Sequence, residues 1–111
     1  MKVLTRQEEQ ILLAVHHLGD NAYLIPIREQ VKNYTGKYYS VGTIYAPLNR
    51  LYNQGYLEAA MGETNAMRGG KAIKYYTITE KGYQALADLK KAHEKMWDGL
   101  CVPGIKKEAP E

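Results

Sequence analysis

At 111 residues, 45% of them hydrophobic and 24% charged, the chain has room for one domain and one modest core, which excludes a multidomain enzyme. Its longest apolar run, Ile11 to Val15, falls far short of the roughly 18 residues of a membrane span, and its single cysteine, Cys101, excludes an internal disulfide. The net charge is +3, but Arg28 to Lys81 holds eight basic residues against four acidic ones, the electrostatic footprint of a small nucleic-acid binder. Arg6, Glu8 and Glu9 follow Met1 too closely for a secretory signal, and with the lone cysteine this points to a reducing, cytoplasmic setting. There are ten tyrosines, no phenylalanine and one tryptophan, a choice that suits a wet, polar interface.

In chain order, Thr5 followed by Glu8 reads as a capping box, and Ile11, Leu12, Val15 and Leu18 recur at helical spacing, so a first helix is expected from about Thr5 to Leu18. Gly19 stops it and Asp20-Asn21 continues the turn. Pro26 suits the first position of a second helix with Ile27, Val31 and Tyr34 as its apolar stripe and Gly36 as its end. Ser40 caps a third helix ending at Gly55, its apolar positions being Val41, Ile44, Leu48 and Leu51. Pro47 lies inside this helix and removes the bond to the Thr43 carbonyl; taken alone it argues for splitting the segment.

Beyond Gly55 the period changes. Tyr56 to Met61 and Ala72 to Thr77 read as strands joined by a long basic loop, a hairpin with a polar tip. Thr79 then caps a last helix whose positions Leu86, Leu89, His93, Met96 and Leu100 recur at spacings of three, four, three and four. So small a domain leaves this stripe nothing of its own to pack against. Residues 102–111 read as a flexible tail, which divides the chain into a winged helix-turn-helix domain over 1–79, a dimerisation helix over 80–101 and that tail.

Three short helices, a basic hairpin and a further helix make a mainly α winged helix-turn-helix fold, in which the third helix meets the major groove and the hairpin reaches phosphates or the adjacent minor groove. On the third helix, the face opposite the apolar stripe carries Gly42, Thr43, Ala46, Asn49 and Arg50, with Tyr45 at its flank. In the hairpin, Arg68, Lys71 and Lys74 are the cationic candidates. The run from Ser40 to Leu57 and that from Arg68 to Gly82 closely resemble the PadR family of bacterial winged-helix transcriptional regulators, and the likeness extends over about Leu4 to Leu89. The family pattern Ser-x-Gly-x-x-Tyr-x-x-Leu-x-x-Leu is met at Ser40, Gly42, Tyr45, Leu48 and Leu51. A second pattern, Lys-Tyr-Tyr-x-Leu-Thr-x-x-Gly, is met at Lys74, Tyr75, Tyr76, Thr79 and Gly82, with Ile78 in place of Leu. The family carries proline at the place of Pro47, which favours an unbroken helix, and usually has Gly-Tyr where this chain has Ala22-Tyr23.

The resemblance is to the short form of the family, with a single C-terminal helix. It implies a homodimeric DNA-binding regulator, usually a repressor, that recognises an inverted-repeat operator and is relieved by a small aromatic effector. On this reading Ser40, Thr43, Tyr45, Asn49, Arg50, Arg68, Lys71 and Lys74 contact DNA, and Leu86, Leu89, His93, Met96 and Leu100 form the dimer seam. Trp97, with Met96 and His93, is the candidate effector site. The alternative is a winged-helix protein-interaction module without specific DNA binding. No enzyme, cofactor or metal is expected. The stretch Asn65 to Ala72 lacks the first Gly and the final Ser or Thr of a phosphate-binding loop. His16 and His17 are adjacent and point about 100 degrees apart on a helix, unsuited to one metal ion.

Overall fold

The computed structural model describes residues 4–62 and 73–100. Thr5 opens the first helix, α1 (Arg6–Leu18), by the reciprocal pair its spacing predicts: Thr5 Oγ1 accepts the Glu8 N–H at 3.1 Å, and Glu8 Oε1 accepts the Thr5 N–H at 2.8 Å. A single 3-10 turn, Gly19–Asn21, follows. Helix α2 (Leu24–Thr35) begins two residues earlier than expected, which makes Pro26 its third residue rather than its first. The shift is harmless because none of the first four helical N–H groups has an intrahelical acceptor to lose. Gly36, in the left-handed conformation, ends it and donates its N–H to the Lys32 carbonyl at 2.7 Å.

Helix α3 (Val41–Asn53) runs unbroken through Pro47. The Thr43 carbonyl that Pro47 leaves without its intrahelical donor accepts instead from Gln7 Nε2 of α1 at 3.4 Å. The buried side of α3 is Ile44, Pro47, Leu48 and Leu51. Val41, expected in that stripe, is exposed, and Pro47 takes an inward position with Ile44, Leu48 and Leu51.

Strands β1 (Leu57–Met61) and β2 (Lys74–Ile78) pair antiparallel from Leu57↔Ile78 to Met61↔Lys74. Leu57, Tyr76 and Ile78 point inward, so one face of this hairpin closes the core formed by Ile11, Leu12, Ile27, Val31, Ile44, Leu48 and Leu51. Helix α1 touches every other helix and β2, which makes it the axis of the domain. Ala72, Arg68, Lys71, Cys101 and the tail 102–111 lie outside the described residues.

Thr79 caps α4 (Glu80–Trp97) by accepting the Gly82 N–H at 3.1 Å, and it ties the cap to the body by donating to the Gly55 carbonyl at 2.6 Å. The apolar stripe of α4 is divided rather than left whole. Leu86 and Leu89, with Ala85, pack half-buried against the core, and His93 Nε2 meets Glu9 Oε2 of α1 at 2.8 Å. Beyond that tie the described residues leave the helix largely uncovered. Met96, Trp97 and Leu100 are 66%, 59% and 55% exposed, and the helix itself ends at Trp97, short of Leu100. Among the described residues no helix is long and apolar enough to cross a membrane.

Candidate nucleic-acid interface

Because α3 buries the side bearing Ile44, Leu48 and Leu51, its opposite side must face outward, and Gly42, Thr43, Tyr45, Ala46 and Arg50 are exposed there with Asn49 half-buried. At its N-terminus Ser40 Oγ accepts the Thr43 N–H at 3.1 Å and shares a hydrogen bond of 2.7 Å with Thr43 Oγ1. Two hydroxyls are therefore presented together at the positive end of the helix dipole, a setting that favours phosphate oxygens.

Arg50 is on this side, but its guanidinium already has a partner. Its Nε donates to Glu8 Oε2 at 3.3 Å; the Glu8 side chain is 1% exposed and that of Arg50 48%. Expected from the sequence as a base-reading residue, Arg50 thus also neutralises a buried carboxylate forty-two positions away. Farther along α3, Tyr45 and Tyr52 lie about two turns apart near Tyr76, and Lys74 stands by Tyr52. Lys74 Nζ lies 5.5 Å from the centroid of the Tyr52 ring, joining the loop end of β2 to the helix. Burial, reinforced by the neighbouring Tyr45 and Tyr52 hydroxyls, raises the Tyr76 hydroxyl above the ordinary tyrosine value, so the group stays neutral beneath them.

A further cationic group was not singled out by the sequence reading. Arg28 and Lys32 share one face of α2, and Lys37 follows Gly36 in the turn before α3. Arg28 Nε donates to the Tyr39 carbonyl at 2.5 Å and its Cζ sits 3.9 Å from the centroid of the Tyr38 ring. Lys32 Nζ is 5.8 Å from the same centroid, and Lys37 Nζ is 5.2 Å from that of Tyr39. The one acidic neighbour, Glu29, accepts from the Tyr38 hydroxyl, which raises that hydroxyl above its ordinary value. The signal available in the sequence was the four-residue spacing of Arg28 and Lys32; what it lacked was the stacking of Arg28 on Tyr38 across the turn. The outcome is an exposed strip with cations at the α2 end, hydroxyls and Asn49 along α3, and Lys74 at the hairpin.

The residues expected at the dimer seam and effector site do not all come together. His93 and Trp97 share a groove of about 350 Å³ with Leu13 and His17 of α1 and Tyr34 of α2. Met96 lines neither this groove nor a neighbouring one of about 520 Å³ that runs between α1 and α4 past Leu13, Tyr83 and Leu86. His17 is bonded through Nδ1 to the Tyr34 hydroxyl. Among the described residues no three His, Cys, Asp or Glu side chains stand close enough to hold a metal ion.

Comparison with known proteins gives this arrangement a context. Residues 12–88 match the model of the transcriptional regulator PadR-like family. Among solved structures, a PadR-like transcription factor from Bacteroides fragilis is 29% identical, with 80% of this chain and 81% of that one covered at a TM-score of 0.69. A PadR-like transcriptional regulator from Bacillus cereus is 24% identical over 80% of this chain and 82% of its own, at a TM-score of 0.66. RosR from H. salinarum is 21% identical over 88% of this chain and 81% of its own, at 0.68. The last two bear on the fold alone. No curated protein matches the chain.

Proposed function

The chain belongs to the PadR-like family of transcriptional regulators, and on that premise we propose that it is a cytoplasmic, homodimeric repressor that binds an inverted-repeat operator and has no catalytic role. The observation that carries this is the exposed strip of α3, with hydroxyls at its positive end and cations flanking both ends. In this reading Asn49, Thr43 and Tyr45 face base edges, Ser40 and the α3 N-terminus hold a phosphate, and Lys74 holds another from the hairpin side. Arg68 and Lys71 extend the hairpin contact. Arg50 keeps α3 in place by pairing with Glu8 and contributes positive potential rather than sequence reading.

The test is binding to duplexes recovered from the organism's own genome by pull-down, compared with scrambled duplexes of equal length. Asn49→Ala is expected to weaken the recovered duplex about tenfold and to leave the scrambled one unchanged. Lys74→Ala should weaken both alike and flatten the dependence of log affinity on log salt by about one. Equal binding of recovered and scrambled duplexes at physiological salt would instead favour a protein-interaction module.

Dimerisation is assigned to Met96 at the end of α4 and Leu100 just beyond it, both left exposed by the described residues, continued by the half-covered Leu86, Leu89 and His93. A small aromatic effector is assigned to the groove holding Trp97 and His93, at the edge of that seam beside Met96, where binding would alter the angle between α4 and the winged body. Light scattering should give a dimer at micromolar concentration for the parent and a folded monomer for the Met96→Glu, Leu100→Glu double variant, since each charge would be placed in the seam without a partner. A planar phenolic compound that quenches Trp97 fluorescence should bind more weakly when operator is present; equal binding with and without DNA would remove the effector assignment.

A further inference from the structure

On the edge of β2 away from β1, the chain following α1 is joined to the strand by the Tyr76 N–H, which donates to the Ala22 carbonyl at 2.8 Å. Between that junction and the start of α4 lies a cavity of about 260 Å³. Its apolar lining comes from Val15, Tyr76 and Ile78, all core residues. Three aromatic rings, those of His16, Tyr75 and Tyr83, also line it, and each is held in place. His16 and Tyr83 meet edge to face with centroids 6.0 Å apart, and His16 Nδ1 lies 3.4 Å from the Tyr83 hydroxyl. Tyr75 meets Tyr23 edge to face at 5.3 Å.

The fixed formal charge on the described lining of this cavity is negative. Among the described residues Asp20 is the only acidic one that lines it, and its carboxylate has no hydrogen-bond or ion-pair partner among them. Gly19 and Asp20 also stand at the C-terminal end of α1, where the helix dipole adds partial negative charge. Tyrosine rings present negative faces, and among the described residues no lysine or arginine lines the space. The Asp20 carboxylate and the C-terminal end of α1 disfavour an anion here, and a neutral aromatic would leave Asp20 unused. We propose that this cavity binds a small organic cation of the alkylammonium class, with its charged head against Asp20 and the rings of Tyr75 and Tyr83 and its apolar part over Val15 and Ile78. An occupant there would bridge α1, the hairpin strand β2 and α4, the three elements whose relative placement sets the hairpin and the C-terminal helix.

The experiment is calorimetric titration of the full chain, without DNA, with choline and with its uncharged carbon isostere dimethylbutanol. Choline should bind at least about tenfold more tightly than the isostere, because the two share a shape and differ only in the charge that the carboxylate and rings recognise. Asp20→Asn should weaken choline by a similar factor, Tyr83→Ala should weaken it while Tyr83→Phe keeps the ring and most of the affinity, and Trp97→Phe should change nothing. Circular dichroism of each variant separates lost binding from lost folding, and the Asp20→Asn and Tyr83→Phe pair remains informative if Tyr83→Ala unfolds. No heat with the folded parent, equal binding of the isostere, an unchanged Asp20→Asn variant or dependence on Trp97 would each overturn the assignment.

Discussion

Gly82→Ala is expected to lower the folding stability by about 3 kcal/mol, toward the upper end of what a single overpacked methyl does. Gly82 is the buried glycine of the first turn of α4, and a Cβ built there runs into the backbone carbonyl oxygen of Tyr56 and comes within 2.7 Å of Ile78 Cγ2. The carbonyl has no easy retreat. It already accepts the Thr79 N–H at 3.1 Å, and Thr79 is the residue that caps α4 and bonds Gly55. Moving it away would loosen the start of the hairpin and the start of the helix together. Urea unfolding of the parent and the variant measures the effect as a shift in midpoint at constant slope. Gly42→Ala is the matched comparison, since nothing lies within 4 Å of its added Cβ, and it should raise stability by about 0.5 kcal/mol through helix propensity. A Gly82→Ala protein as stable as the parent would show that α4 can shift away from the sheet at no cost.

Arg50→Ala is expected to cost about 2 kcal/mol. Removing one partner of a fully buried ion pair typically costs about 3–5 kcal/mol, and the value is lowered here because Arg50 is half exposed and water can replace part of what it gives Glu8. The Glu8 carboxylate also serves the cap of α1 through the Thr5 N–H, so the loss reaches the first turn of the central helix. Glu8→Gln removes the charge while keeping a residue type that satisfies the cap, and in the Glu8→Gln, Arg50→Ala double variant most of the lost stability should return. Chemical denaturation of all four proteins gives the coupling directly. Assayed at a temperature where the single variant remains folded, Arg50→Ala should keep the parent's preference among recovered duplexes. Relaxed preference at one base pair with unchanged stability would return Arg50 to the base-reading set.

Much of this molecule is decided by interactions within four residues along the chain, and those are legible in sequence. Thr5, Ser40 and Thr79 each accept the N–H three residues on, and that local bond sets three of the four helix starts. The spacing of Ile44, Leu48 and Leu51 determined which way α3 turns, and so which side could face a nucleic acid. The start of α2 at Leu24 was missed because Tyr23 gives no side-chain cap and Pro26 is tolerated at any of the first helical positions.

What only the tertiary structure decided rests on partners distant in sequence. That Pro47 is tolerated depends on Gln7 reaching the Thr43 carbonyl, and that Arg50 is occupied depends on Glu8; neither can be read from α3 alone. The division of the α4 stripe into a covered half and an exposed half follows from where α1 ends its contact with it, at Glu9 and His93. Likewise Arg28, Lys32 and Lys37 become one group only once the turn lays Tyr38 beneath the first two and Tyr39 beneath the third, and Asp20 comes to line one cavity with Tyr75 and Tyr83 only because the chain after α1 pairs with β2 through the Ala22 carbonyl. Local hydrogen bonding and apolar periodicity select the elements, whereas charge pairing, burial and cavity shape arise from how those elements meet, and on those the chemistry of the sites depends.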